Sequence, residues 1–178
     1  MKKSLFFVVG AVFTALFALS VGAQDMMTPS VTVADQVSTD GTVTIAEVVS
    51  EGPGFIVIHA QADGSIGPVI GNTAVSNGMN NNVVVDIDTA AATSTLYAML
   101  HTDTGEIGVY EFGQVEGADG PVAVDGAVVT PPFTAEILDA SDQFVDGTVT
   151  IDAVTISQDG FVVIHEGDAE SFGPVIGF

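Results

Sequence analysis

Cysteine and tryptophan are absent from the 178 residues, and Lys and Arg together number two. The missing cysteines exclude a disulfide framework, a thiolate nucleophile and any Cys-based metal site. The two cations are Lys2 and Lys3, so no Lys or Arg occurs from Ser4 to Phe178. That gap argues against a nucleic-acid partner, because no side chain is available to neutralise phosphate. It argues equally against electrostatic docking on anionic lipid. The glycine-containing motif GPVIG lacks the lysine, the spacing and the following helix of a phosphate loop. The carboxylates are scattered, and no Ser, His and Asp spacing suggests a nucleophile, so no catalysis and no organic cofactor are expected.

Against these absences stand 23 acidic residues, the first of them Asp25. Ahead of them, MKK and the uncharged run LFFVVGAVFTALFALSVG form a positive start and an apolar segment. Val21-Gly22-Ala23 places small residues where a signal peptidase cuts, so residues 1–23 read as a signal peptide in helical form, with Gln24 as the new N-terminus. The rival is an uncleaved anchor, since about 18 apolar residues just span a bilayer. No Cys follows the run, so a lipoprotein anchor is excluded. Both readings export the remainder, which is thus secreted or held at the cell surface. It carries a formal charge of −23 (23 acids, no Lys or Arg). Such a surface favours solubility, counterion condensation and tolerance of high salt.

The chain also repeats itself. DGTVTI at 40–45 returns at 146–151, GFIVIH at 54–59 as GFVVIH at 160–165, and GPVIG at 67–71 at 173–177, all offset by 106. Residues 40–71 and 146–177 agree at 18 of 32 positions without a gap. A period near 106 is too long for a solenoid and fits a small domain. Pro131-Pro132 reads as a stiff joint. The expected organisation is one complete domain over 27–130 and an incomplete second copy over 131–178.

β-Branched and aromatic runs such as GTVTIAEVV, GFIVIHA, NVVVDID and STLYAML, bounded by Gly, Asp, Asn and Pro, read as short strands. No apolar repeat at helical period with caps appears beyond Ala23. The fold class expected is all-β, an Ig-like β-sandwich. NGMNNN over 77–82 reads as a turn, and GPVIG as a bent edge strand.

The order DGTVTI, GFIVIH, GPVIG, VVVDID, LYAMLHTDTGEIGVYEF, DGPVAVDG resembles a domain of unknown function. That domain recurs, often in tandem, in secreted and surface proteins of haloarchaea and some bacteria. The resemblance covers the first copy and the opening of the second. It implies an Ig-like β-sandwich without assigned catalysis and names no substrate. Partners are then other surface or matrix proteins, or copies of the chain itself.

The candidate metal ligands are His59, His101, Asp103 and Glu106. His59 and His165 occupy one repeat position, and His101 ends LYAMLH. If the strands bearing His59 and His101 are neighbours, the imidazoles meet and can share a metal; otherwise each caps a strand end. Asp103 and Glu106, with Glu111 near, form a sparse oxygen set for which calcium is the candidate ion. The competing reading of HTDTGEIG is a hairpin turn between LYAML and VYEF, with Gly105 and Gly108 at positive φ. Finally, the second copy lacks counterparts of the strands after GPVIG. That predicts either a piece of a longer tandem protein or strands supplied by another subunit.

Overall fold

The computed structural model describes residues 27–168 and 171–178; the signal helix expected within 1–23 lies outside them. Among the described residues, regular structure is extended apart from one 3-10 turn at Thr89–Ala91. The strands are β1 (Ser30–Thr32), β2 (Gln36–Ser38), β3 (Thr42–Ser50), β4 (Gly54–Ala62), β5 (Ser65–Val75), β6 (Gly78–Asp86) and β7 (Thr95–Thr102). They continue with β8 (Ala123–Val124), β9 (Ala127–Val128), β10 (Pro132–Asp139), β11 (Ala153–Thr155), β12 (Ile164–Asp168) and β13 (Ser171–Gly177).

Two sheets face each other, one ordered β1-β3-β6 and the other β11-β10-β7-β4-β5, with β2 also paired to β10. Successive side chains alternate across a strand, so every second residue enters the space between the sheets. Val43 and Ile45 of β3 meet Ile56, Ile58 and Ala60 of β4, Leu96, Ala98 and Leu100 of β7, and Phe133, Ala135 and Ile137 of β10. Each large apolar side chain buried here contributes roughly 1.5–3 kcal/mol. The expected all-β sandwich is thus what the chain forms. β5, which carries GPVIG, lies at the sheet edge, where Pro68 costs no ladder bond. The Asn cluster differs from expectation: Gly78–Asn82 belongs to β6, and residues 78–81 pair with Glu47–Ser50. The turn is confined to its start, where Asn80 Oδ1 accepts the Ser76 N–H at 2.9 Å.

β10 has two roles. Its first half closes the first sandwich, Pro132–Thr134 pairing antiparallel with β7 and Ala135–Ile137 parallel with β2. Its second half opens the second copy, Ile137, Leu138 and Asp139 pairing with Thr155, Val154 and Ala153 of β11. The latter ladder repeats the first copy's opening, in which Ser30, Val31 and Thr32 pair with Val49, Val48 and Glu47. One strand therefore ends one copy and begins the next. The joint expected at residue 131 opens this strand, and residues 133–137 pack in the first core. The reason is the burial of Phe133, Ala135 and Ile137 against β7 and β4.

A side-chain motif repeats along with the backbone. Gln36 accepts the Thr44 N–H through Oε1 and donates through Nε2 to the Ala34 and Thr44 carbonyls. Gln143 makes the same bonds with Thr150 and Ser141. Beyond that the copies diverge. DGTVTI runs into β3 in the first copy, held between β1 and β6, but residues 146–151 form no strand in the second. There, Phe144, Phe161, Phe172 and Phe178 are exposed.

The repeated GPVIG motif gives a direct measure of this divergence. A Cβ on Gly71 would overlap the Asp86 carbonyl oxygen at the end of β6, whereas one on Gly177 would meet only Ile164, at an ordinary 3.7 Å. Gly71→Ala is therefore expected to lower stability by about 2–3 kcal/mol, and Gly177→Ala to change it by less than about 0.5 kcal/mol. Urea denaturation of the two variants checks this; equal midpoints would show that the β5–β6 approach is not as close as described.

Candidate functional site

β4 is buried from Gly54 to Ala60 on both faces. One face meets the core; the other carries Phe55, Val57 and His59. The neighbouring β7 presents Tyr97, Met99 and His101 on the same side, with Phe55 opposite His101, Val57 opposite Met99, and His59 opposite Tyr97. The segment between β7 and β8 folds back over this face. VYEF forms no strand, so HTDTGEIG is not the turn of a hairpin. Gly105 and Gly108 do adopt positive φ, +95° and +85°. Tyr110 packs edge-on against Phe55, with centroids 5.2 Å apart, and Phe112 edge-on against His101 at 4.9 Å. Aromatic pairs at this spacing add about 0.5–1.5 kcal/mol each beyond burial.

Asp119 fixes the covering segment. It is fully buried. Its carboxylate accepts the Thr104 N–H at 2.8 Å and the Glu111 N–H at 2.6 Å, and its own N–H donates to Thr104 Oγ1 at 3.0 Å. Its carbonyl accepts a bond from His101 Nδ1 at 2.7 Å. No Lys or Arg follows Lys3, so no such side chain among the described residues balances this charge. Burial and the Asp119 charge together raise the Tyr110 hydroxyl to about 12. Nothing in the sequence marks Asp119 beyond an acid in the glycine-flanked GADG. Tyr110, Phe112 and Met99 carry no signal of their own either.

The four expected ligands separate into two groups. His59 and His101 come together, with rings 6.1 Å apart and planes 30° from parallel. Asp103 is buried, and its Oδ2 accepts the Gly108 N–H at 2.8 Å. Glu106 is exposed, and its backbone N–H donates to Glu111 Oε2 at 2.8 Å. Among the described residues no three His, Asp or Glu side chains converge on a point where a metal ion could sit. The oxygen-rich calcium set considered for this loop is therefore not assembled: one oxygen each of Asp103 and Glu111 accepts a backbone N–H, the other Asp103 oxygen is buried without a partner, and Glu106 stands exposed.

The histidines are held alike. Nδ1 of His59 lies 2.9 Å from the Gly67 carbonyl, and Nδ1 of His101 2.7 Å from that of Asp119. A carbonyl only accepts, so both Nδ1 atoms carry a proton, and in the neutral imidazole the lone pair then lies on Nε2. Both Nε2 atoms are buried and find no hydrogen-bond partner. Burial holds His101 below the ordinary histidine range, and His59 adds to the effect, while the bond to Asp119 opposes it. His165 repeats the lock, its Nδ1 2.9 Å from the Gly173 carbonyl, but on an exposed hairpin.

A family model described as Domain of unknown function (DUF7282) matches residues 29–136 and, a second time, 135–178. The two matches overlap within β10, the strand that both copies use. Neither a curated protein nor a solved structure matches the chain.

Proposed function

The chain belongs to the family of domains of unknown function DUF7282, which it carries twice, and we propose that it is an exported, acidic structural or adhesive module of Ig-like tandem type. The observation that carries this reading is the shared strand β10, hydrogen-bonded to β7 and β2 of the first copy and to β11 of the second. Copies joined through a ladder, rather than by a free linker, transmit orientation and load from one to the next. This is the mechanical requirement of a spacer or surface-layer component. Exposed Phe144, Phe161 and Phe172 on the second copy offer apolar area to other surface proteins or to further copies. The N-terminal apolar segment supplies the route out of the cell, and the acidic surface suits a salty exterior.

Cross-linking on intact cells tests this. Lysine-directed reagents have no side-chain target after Lys3, so a carboxylate-directed dihydrazide is required. The expected result is a chain starting at Gln24, recovered from the outer fraction in cross-links to surface proteins or to itself. Recovery from the cytosol with Met1 retained and no cross-links would overturn both export and assembly.

A further inference from the structure

The geometry points to a buried site for monovalent copper between Nε2 of His59 and Nε2 of His101, beneath Phe112 and above Met99. This goes beyond the structural role and does not depend on it. It starts from an unmet demand. Buried polar atoms almost always find partners, and an orphan calls for an explanation. Here two orphans of the same kind occupy adjacent rings.

Their chemistry is that of a prepared ligand pair. A metal-binding histidine characteristically donates its other ring N–H to a carbonyl or carboxylate, which fixes the tautomer and aims the free nitrogen. The Gly67 and Asp119 carbonyls do this for His59 and His101. The rings are 6.1 Å apart between centroids with planes 30° from parallel, a separation that two metal–nitrogen bonds of about 2 Å each can bridge.

The strand register adds a third donor. His59 and His101 stand at opposite corners of the patch, and the row between them is Val57 and Met99. Met99 is buried and lies two residues before His101 on the same face of β7. Two imidazoles and a thioether form a soft, uncharged donor set, which selects monovalent copper. Zinc calls for at least three protein ligands of its own kind, and hard cations for six or more oxygens. Neither set is assembled here. Charge points the same way. Asp119 is a fully buried carboxylate one residue's carbonyl away from His101. A single positive charge at the pair balances it, in a chain that has no Lys or Arg after Lys3 to do so.

The test uses the full chain with 15N-labelled histidine. Monovalent copper is added anaerobically in competition with bicinchoninate. One equivalent should bind. Nε2 of His59 and His101 should move strongly while their Nδ1–H signals persist, and the exposed His165 should stay unchanged as an internal reference. His59→Phe and His101→Phe, which keep a flat ring in place, should each abolish the one-to-one complex. Met99→Leu should weaken it about tenfold, or ~1.4 kcal/mol. Zinc or calcium at one equivalent should leave the two Nε2 signals where they are. Unmoved Nε2 signals under excess copper would overturn the site, as would copper held only by surface carboxylates. A zinc response stronger than the copper response would overturn the assignment of the ion. If a phenylalanine variant does not fold, the wild-type titration decides alone.

Discussion

A fragment ending at Thr130 will fail to fold cooperatively, and one extended to Ala140 will fold. The shorter piece contains the whole expected first domain but lacks β10. It thereby loses the buried side chains of Phe133, Ala135 and Ile137, and leaves the edges of β7 and β2 unpaired. Truncating a single buried Phe or Ile costs about 2–5 kcal/mol, so losing both with their strand should exceed about 5 kcal/mol. That is comparable to the whole stability of a small domain. Urea titration followed by circular dichroism compares the two fragments, since there is no tryptophan to report. Equal midpoints would show that β10 is dispensable to the first sandwich. The converse fragment, 131–178, keeps β10 but exposes Phe161 ahead of β12, and Phe172 and Ile176 on β13, with no second sheet among the described residues. It should give poorly dispersed amide signals and no sharp melt, because so small an open structure buries too little surface. A dispersed spectrum with a cooperative transition would show that the second copy is a fold in its own right.

The second large effect is that of salt. From Asp25 onward, 23 carboxylates face no Lys or Arg. Among the described residues, several of them accept hydrogen bonds instead. Asp35 takes the Thr134 N–H at 2.7 Å, and Asp139 accepts from the Thr89 hydroxyl at 2.7 Å. Such bonds hold individual carboxylates in place but leave their mutual repulsion uncompensated, so screening falls to ions in solution. Raising NaCl from about 0.05 M to 2 M shortens the Debye length several-fold. A resulting gain of about 2 kcal/mol raises the melting temperature of a 100-residue domain by roughly 8–16 °C. Calcium should add little beyond its ionic strength, because Asp103 already accepts the Gly108 N–H and lies apart in role from the exposed Glu106. Thermal melts in graded NaCl and CaCl2 check both parts. A melting temperature flat in NaCl that climbs with micromolar calcium would contradict them together.

The sequence alone determined whatever depends on local pattern. β-Branched runs broken by Gly, Asp and Pro specify strands, because those residues fit or disrupt a pleated surface wherever they lie. Duplication is visible because identity at a fixed offset needs no folding to be read. Continuous apolarity over Phe55–Ile58 goes with burial on both faces of β4, whereas the equally continuous residues 162–164 are half-buried or exposed, because the second copy has no sheet to cover them among the described residues. The exclusion of thiolate chemistry and of lysine- or arginine-mediated recognition likewise follows from composition.

Tertiary structure decided what depends on pairing. DGTVTI enters a strand in one copy and none in the other, since a ladder needs neighbours and only residues 42–45 have β6 beside them. Pro131-Pro132 looks like a joint locally, yet β7, β2 and β11 draw the residues that follow into both copies. VYEF has strand composition, but Asp119 folds its segment over the sheet by accepting the Thr104 and Glu111 N–H groups. His59 and His101 are 42 positions apart, and sequence offered their meeting only as a condition on strand order. The β4–β7 register met that condition, and the Gly67 and Asp119 carbonyls, one from the sheet edge and one from the covering segment, engage both Nδ1 atoms and leave both Nε2 atoms buried without a partner.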